Sequence, residues 1–185
     1  MYEAELKIAK QAARQASKFL KPEFLNWSGK IQYKNAEETF TRCDKQSEQI
    51  IIRLLKKHFP SYTILSEEKG LIEKHSDYFW TVDPIDGTNN FIRLNPNFTV
   101  SISLLYKNEV VLGLTYVPML DEMYWAVKNQ GAYKNNKKIR ISKTKILSKA
   151  IVSYNHGRGL ASTKKSFKVF EYFQINAYRA RNYFS

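Results

Sequence analysis

The chain has 185 residues, 43% hydrophobic and 14% aromatic, enough for one full domain, or one domain and part of a second, around a real core. It has no run of about 18 apolar residues to span a membrane, no apolar signal core in MYEAELKIAKQAARQ, and only one cysteine, Cys43, so the expectation is a soluble, cytoplasmic protein without an internal disulfide or a membrane partner. The net charge of +13 is uneven: residues 1–127 hold 16 Lys and Arg against 16 Asp and Glu, whereas residues 128–185 hold 14 basic residues and one acid, Glu171.

Leu6, Ala9, Ala13, Ala16 and Leu20 form a helical stripe, and Lys21-Pro22 suits its end. IQYKNAEETFT reads as extended or loop chain. Asp44 then stands where a helix N-cap is expected, followed by a face of Ile51, Leu54, Leu55 and His58 that ends near Phe59-Pro60. SYTILSEEKG predicts a short strand running out into two acids, and DYFWTVD a second strand. The period then changes to two. FTVSISLLY, EVVLGLTYV and EMYWAVK read as strands, with turns at Lys107-Asn108 and across Pro118 to Asp121. GAYKNNKKIRIS predicts a small hairpin at Asn135-Asn136, AIVSYN another strand, and TKKSFKVFEYF a helix with Phe167, Phe170 and Phe173 toward the core. Two helices, a mostly antiparallel sheet and a further αβ segment make the class α/β, a layered α+β sandwich. The expected domains are 1–145 and 146–185.

The stretch WTVDPIDGTNNF concentrates the chemistry. Two carboxylates three residues apart, with a Glu pair at another strand end, make a site for hard cations such as Mg²⁺, which takes oxygen ligands. Pro84 fixes the backbone after Asp83, and Gly87 permits an unusual turn. The chain then opens a short helix or turn whose amides suit a phosphate.

DPIDGTNNF, residues 83–91, resembles the signature of the inositol monophosphatase family, D-P-I/L-D-G-T-x-N-F. FTRCDKQSEQIIIRLLKKHFPSYTILSEE resembles the family's earlier block, and VSISLLYKNEVVLGLTYVPMLDEMYWAVKNQGAY its sheet. The resemblance implies a sugar-phosphatase fold and Mg²⁺-dependent hydrolysis of a small phosphate monoester, an inositol phosphate or a related sugar or nucleotide phosphate. A water activated by bound Mg²⁺ would attack, with a second Mg²⁺ at the leaving oxygen. By the same resemblance Glu67, Asp83 and the Ile85 carbonyl hold the first metal, with Asp83 bridging to a second held by Asp86. Glu68 is a supporting acid. Asp44 and Thr88 orient the attacking water, and the Gly87 and Thr88 amides hold the phosphate. The resemblance also implies a homodimer as one expected assembly.

The chain departs from the family pattern in several places. The family's later W-D-x-A-A/G motif has no counterpart, because Trp27, Trp80 and Trp125 precede Ser28, Thr81 and Ala126. RNYFS, residues 181–185, resembles an R-x-x-G-S element with Phe184 in place of glycine, and Ser66 replaces the glycine of G-E-E. The expectation is a member lacking its C-terminal part, with no third acid for the second metal and an uncovered apolar face on its last strands and helix. The alternative is a catalytically incompetent module that binds RNA, another polyanion or a protein through residues 128–185. For the charge, the reading favoured over a polyanion surface is a plain fragment whose acidic partner residues lie outside this sequence. Ordinary roles also stay open: Asp44 as a cap, Thr88 bonding within its turn, and Glu67 and Glu68 as loop acids. Cys43 and His58 read as packed residues and His75 and His156 as solvated ones, and no zinc is expected.

Overall fold

The computed structural model describes residues 2–33, 39–154 and 160–181. The expectations placed on His156 and on residues 182–185 fall outside them. The chain divides into two compact units, residues 1–139 and 140–185.

The first unit begins with α1 (Glu3–Leu25), which buries Ile8, Ala9, Ala12, Ala13, Ala16, Leu20 and Phe24. The run of alanines lets α1 lie close against α2 (Arg42–His58). α1 does not stop at Pro22. Pro22 forfeits one backbone hydrogen bond, but Phe24 anchors the last turn between the rings of Phe91 and Phe98, at centroid distances of 5.7 and 5.1 Å. Two short paired strands, β1 (Gln32–Tyr33) and β2 (Thr39–Phe40), lie between the helices.

The N-cap of α2 is Thr41, not Asp44. Asp44 is the third helical residue, and its carboxyl reaches back to the Thr41 amide in a reciprocal capping box. Lys56, Lys57 and His58 fill the last turn, where cations suit the helix dipole. His58 is therefore exposed rather than packed, because the apolar stripe of Ile51, Ile52, Leu54 and Leu55 ends one turn earlier. His75 is exposed as expected, and Cys43 is buried.

Eight strands form one sheet. Their order is β10 (Lys137–Ile139), β9 (Gly131–Lys134), β8 (Glu122–Val127), β7 (Glu109–Val117), β6 (Thr99–Tyr106), β5 (Tyr78–Asp86), β3 (Thr63–Ser66) and β4 (Gly70–Ile72). Every pair is antiparallel except β3 with β5. Lys107 and Asn108 both take positive φ, 50° and 65°, as a two-residue hairpin between right-twisted strands requires. α1 packs on β6 and β7, and α2 on β5. Trp80, Val82, Val100, Ile102, Leu104, Leu112 and Leu114 are buried, and Thr81, Asp83, Ser101 and Ser103 alternate with them on the other, more open face. The ladder between β5 and β6 breaks between Asp83 and Asp86, and α3 (Thr88–Ile92) follows at once.

The second unit pairs β11 (Ile151–Ser153) in parallel with β12 (Arg179–Arg181), joined through α4 (Leu160–Asn176). The expected phenylalanine core is only partly formed. Phe170 and Phe173 are half-buried, with Phe173 against Tyr154, but Phe167 is 64% exposed. A two-stranded ribbon is too narrow to cover more than one side of α4. Tyr172, Ile175 and Tyr178 are exposed with Phe167, the uncovered apolar face expected from the sequence.

Candidate active site

The first turns of α2 bring three polar side chains onto an otherwise apolar buried face. Asp44, Ser47 and Glu48 are each no more than 1% exposed. Asp44 Oδ2 accepts the Thr41 amide at 2.7 Å and the Thr41 hydroxyl at 2.8 Å, and its Oδ1 accepts the Thr88 hydroxyl at 3.0 Å. Burial pushes the Asp44 carboxyl above its ordinary range, and the hydrogen bonds from Thr41 and Thr88 oppose that push. The Thr88 hydroxyl also lies 3.1 Å from the Ile85 carbonyl, so its single hydrogen has two acceptors in reach. Thr88 thus bonds within its turn and to Asp44. The predicted pair of Asp44 and Thr88 is in direct contact.

Ser47 donates its hydroxyl hydrogen to the Pro84 carbonyl at 3.0 Å. Glu48 Oε1 accepts the amides of Glu68 and Lys69, each at 3.0 Å. One helix face therefore grips both acid-bearing loops. The two loops are also tied to each other, since the Glu67 amide donates to the Val82 carbonyl at 3.2 Å.

That tie sets Glu67 beside Asp83, and their side chains are hydrogen-bonded. Both line an open cavity of about 510 Å³ with Ser66, Thr81, Ser101 and Ser103. Burial, then the charges of Glu67 and Asp86, push the Asp83 carboxyl up to about 8. The Ile85 amide donates to Asp83 Oδ1 at 3.2 Å, and the Ile85 side chain is buried. Asp86 is exposed and accepts the Thr99 hydroxyl at 3.3 Å. Glu68 is half-buried, close enough to Asp44 to act on its charge. Gly87 caps α3 at φ 94°, where an added Cβ would lie 3.2 Å from the Asn97 carbonyl oxygen.

This donor set suits a hard cation. It is all oxygen, and the charges of Glu67 and Asp86 that push the Asp83 carboxyl up are a surplus of negative charge that a cation would relieve. Among the described residues no three acidic, histidine or cysteine side chains form a ready-made cage. Glu67 and Asp83 are in contact, and Asp86 adds charge from across the ladder break.

Ser47 and Glu48 were not singled out from the sequence, although a signal was present. Asp44, Ser47 and Glu48 continue the i, i+3, i+4 spacing of Ile51 and Leu55 backward, so polar groups occupy core-facing positions. The hydroxyls of the open face were also missed, including Thr81 and Ser103 at 2.7 Å. On alternating strands they read as ordinary solvent-facing residues.

The model of the inositol monophosphatase family matches residues 1–185. Over 154 residues the chain is 37% identical to the fructose-1,6-bisphosphatase/inositol-1-monophosphatase of Aquifex aeolicus, covering 80% of this chain and 57% of that protein. Over 150 residues it is 34% identical to the Nus factor SuhB of Pasteurella multocida, covering 80% and 56%. The crystal structure of the extragenic suppressor protein suhB from Bartonella henselae superposes with a TM-score of 0.91 at 26% identity, covering 97% of this chain and 70% of that one. The chain spans little more than half the length of these curated relatives. With a whole-length family match, that superposition and the DPIDGT turn folded against a second acidic loop, the chain belongs to the inositol monophosphatase family.

Proposed function

We propose that the chain carries the cation- and phosphate-binding part of a phosphate monoester hydrolase. Its substrate would be an inositol phosphate or a related sugar or nucleotide phosphate. The contact between Glu67 and Asp83 at an open cavity, with Asp86 near, carries the reading. Bound Mg²⁺ would polarise the phosphoryl group and make water a better nucleophile. Glu67, Asp83, Asp86 and the Ile85 carbonyl would hold it. Glu68, Asp44 and Thr88 surround the same turn. The Thr88 hydroxyl, held by Asp44 and the Ile85 carbonyl, can accept a hydrogen from an incoming water and so orient it. The Gly87 and Thr88 amides would meet the phosphate, as the positive φ of Gly87 turns the chain there. The test is phosphate release from an inositol phosphate with Mg²⁺, for the chain and for Asp83→Asn. Equal rates from both would end the reading.

A second reading rests on a separate observation. The whole charge excess lies in residues 128–185, and Tyr172 and Tyr178 are exposed there with Arg179 over the Tyr178 ring. This supports binding of RNA or another polyanion by charge and stacking. Retention of single-stranded RNA at low salt, lost as salt rises, would support it, and no retention at low salt would remove it.

A further inference from the structure

We propose that Glu48 is a positioning residue, one that places Glu67 beside Asp83 by clamping the backbone of the following turn. The inference rests on the cation reading above and assigns a residue that reading does not use.

Glu48 is 1% exposed, yet it lies on the α2 face that elsewhere buries Ile51, Ile52 and Leu55. A carboxyl in such a place is costly to desolvate, and an aliphatic side chain would extend the stripe without that cost. Its contacts indicate what the carboxyl does there. One oxygen, Oε1, receives two consecutive amides, those of Glu68 and Lys69, at 3.0 Å each. The other, Oε2, is buried and makes no hydrogen bond to a described residue. Two adjacent N–H groups on one oxygen fix the orientation of the peptide planes on either side of Glu68. Glu67 sits immediately before that fixed pair, and its own amide is bonded to the Val82 carbonyl at 3.2 Å. The Glu67 backbone is therefore held from β5 on one side and from α2 on the other.

The remaining anchors of the site come from the same helix face. Ser47 holds the Pro84 carbonyl and Asp44 holds Thr88. Those two contacts fix the Asp83–Asp86 side of the cluster. Without Glu48, no side chain of α2 among the hydrogen bonds described would hold the Glu67–Glu68 side. The Glu67 carboxyl would then sample positions away from Asp83. A cation that needs both oxygens would lose affinity in proportion to the time they spend apart.

The test uses the full chain with Glu48→Ala and Glu48→Gln, Mn²⁺ as the probe, and two readouts besides activity. Mn²⁺ affinity is read by the relaxation of water protons, and amide hydrogen exchange is read peptide by peptide. Glu48→Ala should weaken Mn²⁺ binding at least tenfold and speed exchange at Glu68 and Lys69. Exchange at Ile51 to Leu55 should stay slow, which shows that α2 remains folded. Glu48→Gln keeps an oxygen for the two amides and should restore both readouts to within about threefold. Faster exchange with unchanged Mn²⁺ affinity would overturn the positioning role and leave a purely structural contact. Unchanged exchange at Glu68 and Lys69 would overturn the clamp itself. If the unaltered chain binds no Mn²⁺, the cation reading fails and the positioning role with it, and the exchange readout still decides whether the clamp exists.

Discussion

The hydroxyl of Thr88 donates to the carboxyl of Asp44 at 3.0 Å, joining the head of α3 to the first turn of α2 across 44 residues of chain. Asp44 thus serves two structures with two oxygens, Oδ2 closing the capping box and Oδ1 holding the turn after the acidic motif. Removing one donor from a buried acceptor costs about 1–3 kcal/mol. Thr88→Val, nearly the same shape without the hydroxyl, should lower stability by that amount, and Thr88→Ser should lose about half as much or less. Urea unfolding midpoints at constant m-value measure both. Equal losses for valine and serine would mean that the methyl group matters as much as the hydroxyl, and a loss for serine alone would mean that the hydrogen bond to Asp44 contributes nothing.

Gly87 stands at φ 94°, a backbone conformation that L-residues resist. An added Cβ would also press on the Asn97 carbonyl at 3.2 Å, at the point where the chain turns into α3. Gly87→Ala should cost about 1–3 kcal/mol, the usual range for a residue forced into such a conformation. Gly113→Ala is the control, since it has a negative φ and no atom within 4 Å of the added Cβ. Similar thermal midpoints for the two variants would count against strain at Gly87.

The sequence was informative where local pattern and local geometry coincide. Alternation in β6, β7 and β8 names the strands, and the Lys107-Asn108 turn follows from their spacing. The adjacency of Asp83, Asp86 and Gly87 is covalent, so the DPIDGT turn is visible in the chain itself. Decisions made by distant contacts were not visible. β4 and the parallel pairing of β3 with β5 depend on which strand edge is free. Pro22 stays helical because Phe24 finds two rings more than sixty residues away. Asp44 moves from cap to third helical residue because Thr41 supplies a better cap, a choice that spacing alone leaves open. Phe167 fails as a core residue because a helical stripe says which side is apolar and nothing about what covers it.

Cys43 is fully buried at the start of α2, and its thiol is pushed up to about 11, first by burial and then by the charge of Glu23. The thiolate is the reactive species, so a rise from the usual value near 8.5 cuts the reactive fraction about 300-fold before access is considered. Iodoacetamide at about pH 8 should leave Cys43 unmodified in the native chain and alkylate it fully in urea, followed by intact mass. Rapid native alkylation would mean that the first turn of α2 opens readily.

The acid pair makes stability depend on pH in a definite direction. In the folded chain Asp83 keeps its proton up to about 8, whereas an unfolded aspartate releases it near about 3.9. Between those values the folded state binds more protons than the unfolded state, so stability falls as pH rises and levels off above the folded value. The upward shift of Asp44 acts in the same sense. The urea midpoint of the metal-free chain should therefore drop from about pH 5 to about pH 8.5. Asp83→Asn should flatten much of that slope and be the more stable chain near pH 8, because it removes one charge from the cluster of Glu67, Asp83 and Asp86. Millimolar Mg²⁺ should raise the midpoint of the parent chain near pH 8 and have little effect near pH 5, where protons compete for the same oxygens. The asparagine variant should lose most of the Mg²⁺ response. Parallel pH profiles for the two chains, or an equal Mg²⁺ response, would show that the Glu67 and Asp83 carboxyls neither strain the fold nor hold the cation.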